Sequence, residues 1–345
     1  MSDLSERQKL VLALIVRDYV ETAEPISSGR LVDHFQLDFS PATARNEMAI
    51  LEKEGFLHQP YTSAGRVPTR DGYRYYVGKL MGDDQLPMHI QEMIRHQFYQ
   101  ARNDVDDWLS LSASVLAQHS RAAAIVTPLH SETARFKHLS LLSTRGRQVL
   151  MVIVLNSGEV HQQTLVLDEP LTQNQLSEIA ARINAFAGGL DARELEAIDL
   201  ETGSQVMEEI LQLVLETMQN MEVVTSGEVF RDGFTNMLAE PEFAEPEKAR
   251  KTLEIFEDRS ILDDLLTKTV FGSEERGVHV IIGGEDTWEQ LEDTSLILAS
   301  YGDSDRTLGA IGILGPLRMS YGRGVSTVRF VSDLISELIS ESMNS

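Results

Sequence analysis

The sequence predicts an α+β protein of several domains that opens with a winged helix-turn-helix, and three observations carry that prediction. Residues 1–80 read as helix, helix, tight turn, helix, then two short strands around a Gly-containing turn. From residue 81 the texture changes to longer helices with apolar stripes and to strands joined through glycine-bearing loops. The charge divides at the same place: the 345-residue chain carries 30 Lys+Arg and 54 Asp+Glu, whereas residues 1–80 hold 10 and 11.

Each early element has a local cause. Ser5 with Gln8 forms a capping-box pattern that starts a helix through about Thr22, with Leu10, Val11, Leu14 and Val20 among its apolar residues. Pro25-Ile26 is extended, because the residue before a proline avoids the helical region. Ser27 or Ser28 starts a second helix to about Phe35. After the turn "QLDF", Ser40 caps a third helix with Pro41 at its first position, and Gly55 ends it. On that helix Ala44, Met48 and Leu51 share an inward face, with Thr43, Asn46 and Lys53 on another. "FLHQP" and "RVPT" read as strands around "TSAG", and "DGYRYYVGKLM" begins a further helix.

Beyond the hinge-like "GDDQLP", residues 88–119 are mostly helical, with Met93, Phe98, Val105, Trp108, Leu111 and Val115 on apolar faces. "RFKHLSLLSTRG", "RQVLMVIVLNSG" and "EVHQQTLVLDEP" suggest an antiparallel meander. Helices follow near 172–186, 191–201 and 204–222, then near 246–267. Strands "VHVIIGG", "TSLILASYG" and "RTLGAIGILGP" precede a closing amphipathic helix over 322–342.

Composition excludes several chemistries. The chain has no cysteine, so disulfides, thiolate metal sites and cysteine nucleophiles are ruled out. Nine histidines form no metal signature; His89 and His96 lie two turns apart without a third ligand, so no metal and no cofactor is expected. "GAIGILG" lies inside an apolar strand rather than between strand and helix, which is weak support for nucleotide binding. No pair of carboxylates marks a catalytic site, and no enzymatic activity is expected. No apolar run reaches membrane length, so a cytoplasmic protein is expected.

The residues that do point to chemistry lie in the near-neutral first segment. The second helix of a helix-turn-helix enters the major groove by its N-terminal end. Thr43, Arg45 and Asn46 sit there within one turn, behind Ser40. Asn pairs bidentately with adenine and Arg with guanine; the same residues on an unplaced helix would be an ordinary solvated face. Arg66 at the hairpin suits phosphate or a narrow minor groove, with Arg70 and Arg74 assisting or pairing with nearby acids. Tyr73, Tyr75 and Tyr76 read as packing between the hairpin and its helix. Met207, Ile210, Leu211, Val214, Met218 and Met221 form a wide apolar stripe, which is core or a dimer interface.

"PISSGRL", "FSPATARNEMAILEKEGF" and "TSAGRVPTRDGYRYYV", in order within 55 residues, resemble the N-terminal part of the heat-inducible transcription repressor HrcA family. "IGGED", "SLILASY" and "GAIGILGPLRMSY" resemble its far end; Ile50 and Leu317 depart from the pattern, standing where an acidic and a small polar residue are usual. The resemblance implies a winged helix over 1–80, a GAF-like domain over 88–134 and 223–345, and a dimerisation domain inserted at 135–222. It further implies a homodimer on an inverted-repeat operator of double-stranded DNA, repression of chaperone operons, and dependence on a GroEL-type chaperonin. The other reading from the same residues is a metabolite sensor whose GAF-like domain binds a small ligand and releases DNA.

Overall fold

The structure, a computed structural model, describes residues 4–82, 85–101, 104–131, 135–156, 158, 160–167, 169–197, 205–223, 229–271, 277–286, 288–303 and 307–343. Asp83 and Asp84 of the hinge-like stretch lie outside the described residues, as does the end of the helix expected at 191–201. The chain divides into two compact units, one of residues 1–128, 227–302 and 309–345, the other of 129–226 and 303–308.

The first unit begins with α1 (Glu6–Thr22), α2 (Ser28–Phe35) and α3 (Pro41–Lys53). Ser5 and Gln8 close the capping box at the start of α1. Leu10 is an exception to its apolar face, pointing outward and 44% exposed. Asp18 of α1, buried, sits 3.4 Å from Arg30 of α2, which also holds Glu24 at 2.9 Å. Two-residue strands β1 (Leu57–His58) and β2 (Val67–Pro68) pair antiparallel, and Ile26 bridges to Arg66 as a third edge. That bridge needs Gly65, because a Cβ there would lie 2.2 Å from the Ile26 carbonyl oxygen. Next, α4 (Arg70–Tyr75), capped by Thr69, passes into a π-helical turn over 76–80.

Helices α5 (Met88–Gln100) and α6 (Val105–Ser120) lead into β3 (Ala123–Val126). Chain order then passes through the second unit: β4 (His130–Ser131), β5 (Phe136–Ser143), β6 (Gln148–Leu155), β7 (Val160–Val166), α7 (Gln173–Ala187), α8 (Ala192–Glu196) and α9 (Gln205–Val223). The first unit resumes with β8 (Phe230–Asp232), α10 (Phe234–Leu238), α11 (Pro246–Glu257), α12 (Arg259–Leu266), β9 (Val278–Ile282), β10 (Thr294–Asp303), β11 (Thr307–Pro316) and α13 (Tyr321–Met343).

In the first unit the strands run in the order β8-β3-β11-β10-β9. Alternation along β10 and β11 serves two cores. Leu296, Leu298, Ala310 and Leu314 join Ile255, Leu262 and Leu265 of α11 and α12 on one face. Ile297 and Ile313 meet α13 on the other, where Gly324 permits close approach: a Cβ there would lie 2.5 Å from Ile297. Strands β3 and β8 escape a sequence reading. Ala123–Val126 is alanine-rich and Phe230–Asp232 carries one apolar residue, so neither shows strand alternation.

The second unit is the meander β5-β6-β7, antiparallel throughout, with α7, α8 and α9 over one face. Leu139, Leu141, Val149, Met151, Ile153 and Leu165 point into that core. Met207, Ile210, Val214 and Met218, the stripe expected to join two subunits, are buried in the same core, with Leu211 packed at its margin. This corrects the interface expectation: the stripe already faces the meander of its own chain. The Met221 side chain lies outside the described residues.

Candidate nucleic-acid interface

The N-terminal end of α3 is built for exposure on one side and packing on the other. Ser40 stands extended (φ −72°, ψ 157°) and its Oγ accepts the Thr43 amide at 3.2 Å. A further contact of 3.1 Å links the Ser40 and Thr43 hydroxyls. Pro41 has no N–H, so the amide of Ala42 stays open at the positive end of the helix dipole. Ala44, Met48 and Leu51 are the buried residues of α3. Ala42, Arg45, Asn46, Ala49, Ile50 and Lys53 form the exposed stripe. The side chains of Arg45 and Asn46 make no hydrogen bond or ion pair among the described residues. Two alanines keep this stripe shallow, and Ile50, 43% exposed, adds one apolar group to it.

α3 is held rigidly. Arg7 of α1 reaches Glu47 at 3.6 Å and lies over the Phe39 ring at 5.7 Å. From the hairpin side, Arg66 places Nη2 at 2.8 Å and Nε at 3.0 Å from Glu52 of α3. Its side chain is only 19% exposed, and its backbone is spent on Ile26. Arg66 therefore ties the hairpin to α3. Gln59 Nε2 donates to the carbonyls of Thr62 and Ala64, both at 2.9 Å, which stiffens the hairpin tip. Tyr61 stands at that tip, 63% exposed, an aromatic side chain that sequence reading did not single out because a tyrosine before a turn carries no charge signal.

Arg70 and Arg74 point elsewhere. Arg70 is ion-paired with Glu292, holding that carboxyl below its usual range, and its methylenes pack on Gly283. Arg74 donates from Nε and Nη2 to the Ile282 carbonyl, at 3.3 and 3.0 Å, and pairs with Asp71 at 3.3 Å. Both thus fasten α4 to the end of β9. The physical reason lies in α4, which follows the hairpin directly and turns this face toward the sheet. Tyr73 and Tyr75 are buried, tilted against Tyr321 and Phe56 respectively, as packing residues. Among the described residues no cluster of side chains could hold a metal, and no helix is long and apolar enough to cross a membrane.

Comparison with known proteins gives this arrangement a context. A family model described as the HrcA protein C-terminal domain matches residues 106–325. The heat-inducible transcription repressor HrcA of Roseiflexus castenholzii is 38% identical over 347 residues, covering 99% of this chain and 96% of its own. That of Herpetosiphon aurantiacus is 40% identical over 345 residues, covering 98% and 96%. Among solved structures, a crystal structure of a hypothetical protein aligns with 25% identity and a TM-score of 0.58, covering 98% of both chains.

Proposed function

The chain belongs to the HrcA family of heat-inducible transcription repressors, and we propose that it represses by seating the N-terminal end of α3 in the major groove of an inverted-repeat operator, as a homodimer. The observation that carries this is the state of two side chains. Arg45 and Asn46 are exposed and uncommitted on a braced helix, whereas Arg30, Arg66, Arg70 and Arg74 of the same segment are all in ion pairs. Residues free to meet base edges, on a scaffold that fixes their position, are what direct readout requires.

In this reading α1 to β2 form a winged helix, with Ser40, Thr43 and the open Ala42 amide near phosphate. Ile50 is placed for a thymine methyl, and Tyr61 with Arg66 runs along the backbone. Arg70 and Arg74 serve the same surface indirectly, by holding α4. The sheet of the first unit is read as GAF-like. The targets are chaperone operons, and a GroEL-type chaperonin maintains the active form.

With the stripe on α9 consumed, the dimer surface in this proposal moves to the opposite face of the meander. Leu142, Leu150, Val152, Val154, Val160 and Val166 share that face by register, and Leu142, Val160 and Val166 are among the chain's exposed large apolar residues. Strand β7, "VHQQTLV", forms the sheet edge without the lysine, glutamate or proline that ordinarily discourages pairing. A second copy related by two-fold symmetry fits a self-complementary face of this kind.

Arg45→Ala and Asn46→Ala test the reading helix. Each is expected to weaken operator binding roughly tenfold to a hundredfold, with at least one relaxing base preference, while thermal stability holds. Operator affinity unchanged in both, measured by fluorescence anisotropy, would remove α3 from the reading role.

A further inference from the structure

An open cleft of about 820 Å³ separates α1 from the loops that lead into β3 and α13. Its rim carries Arg17, Arg121, Arg318 and Arg323 against Glu21 and Glu240. A neighbouring cleft of about 660 Å³ shares Arg121, Ser320 and Arg323 and adds His89 and His119, with no acid on its wall. In a chain with 54 acidic and 30 basic residues, this concentration of arginines runs against composition.

The four arginines are not equivalent. Arg318 is structural: it is ion-paired with Glu240 and Glu242 and donates to the Val20 carbonyl at 3.3 Å. Arg17, Arg121 and Arg323 make no ion pair or side-chain hydrogen bond among the described residues, and all three are exposed. Arg121 holds a left-handed conformation (φ 56°, ψ 32°), where glycine would sit without strain. His119 Nε2 is buried beside the shared wall with no partner. At the same rim α13 begins: its first turn closes with the Gly324 amide on the Ser320 carbonyl at 2.8 Å, leaving the amides before it open. Val16, Val20, Pro316, Met319 and Tyr76 give the cleft an apolar side.

Guanidinium forks and open helix amides match phosphate oxygens, and an apolar wall beside them matches a flat organic group. We propose that this cleft binds a small phosphorylated metabolite, its phosphates held by Arg17, Arg121 and Arg323 and its organic part against the apolar wall. A ligand there would bridge α1 to the start of α13. Because α1 packs on α3, occupancy would also bias the reading helix; that consequence alone rests on the proposed operator function.

The test uses the full chain with pyrophosphate, AMP and ATP as probes, without divalent metal, followed by thermal unfolding and calorimetry. At least one probe is expected to raise Tm by about 3–6 °C near saturation. The gain should vanish in the triple variant Arg17→Gln, Arg121→Gly, Arg323→Gln. Arg121→Gly alone should raise the probe-free Tm by relieving the left-handed strain, yet reduce the probe's effect, which separates ligand loss from misfolding. No shift with any probe at about 5 mM, or an equal shift in the triple variant, would overturn the proposal. So would a triple variant that loses operator affinity in the absence of probe while the wild-type chain responds to none of them, since the arginines would then serve the DNA backbone.

Discussion

Asn46 and Arg74 are both polar, both in the first 80 residues and both in reach of a polyanion by sequence alone, yet only Asn46 remains uncommitted. The difference is one of partners, and partners such as the Ile282 carbonyl lie more than 200 positions away, where spacing says nothing. The caps, by contrast, were fully legible: Ser5-Gln8 and Ser40-Pro41 act within three residues, and the structure forms both as written. Two predictions belong at this scale. Gly65→Ala forces a Cβ onto the Ile26 carbonyl and should cost about 1–3 kcal/mol by chemical unfolding, with operator affinity falling as the hairpin shifts. An unchanged midpoint would mean that the bridge is dispensable.

His119 gives the second. Burial, reinforced by the Arg323 charge, holds its imidazole below the ordinary value of 6.5. The folded state therefore binds fewer protons than the unfolded chain, so this residue's contribution is complete above about pH 6.5 and declines as pH falls through the folded value. His119→Gln should flatten the loss of stability between neutral and mildly acidic pH, read from urea midpoints across that range. A wild-type acid slope retained in the variant would contradict it.

Among elements, the meander and α9 show both the reach and the limit of periodicity. Alternation placed β5, β6 and β7 correctly because a sheet with one covered face repeats every two residues. The α9 stripe was equally visible, but a helix facing its own sheet and a helix facing a partner carry the same 3.6-residue pattern. Only the meander packed against it decides the matter. Two substitutions separate the surfaces. Ile210→Ala, fully buried, should destabilise the second unit by about 2–5 kcal/mol without changing the mass of the folded species. Val152→Glu, on the outward face, should leave a folded chain that sediments as a monomer. A dimeric Val152→Glu protein would place the interface elsewhere. The short strands β3 and β8 were illegible for the opposite reason, carrying too little alternation to register.

At the level of the whole molecule, the acidity acquires a role. Nearly all of the −24 formal charge lies outside residues 1–80, so the proposed mechanism predicts weak long-range attraction to DNA and little unspecific binding. In the proposed mechanism affinity comes from correct contacts in two linked half-sites, each insufficient alone. Selection of bound fragments from a random duplex pool, at near-physiological salt, tests this most directly. The proposed mechanism predicts enrichment of one inverted repeat whose two halves, a whole number of helical turns apart, are each occupied by one α3. A pool that shows no preferred site, or that yields a lone half-site held by a single chain, would contradict it.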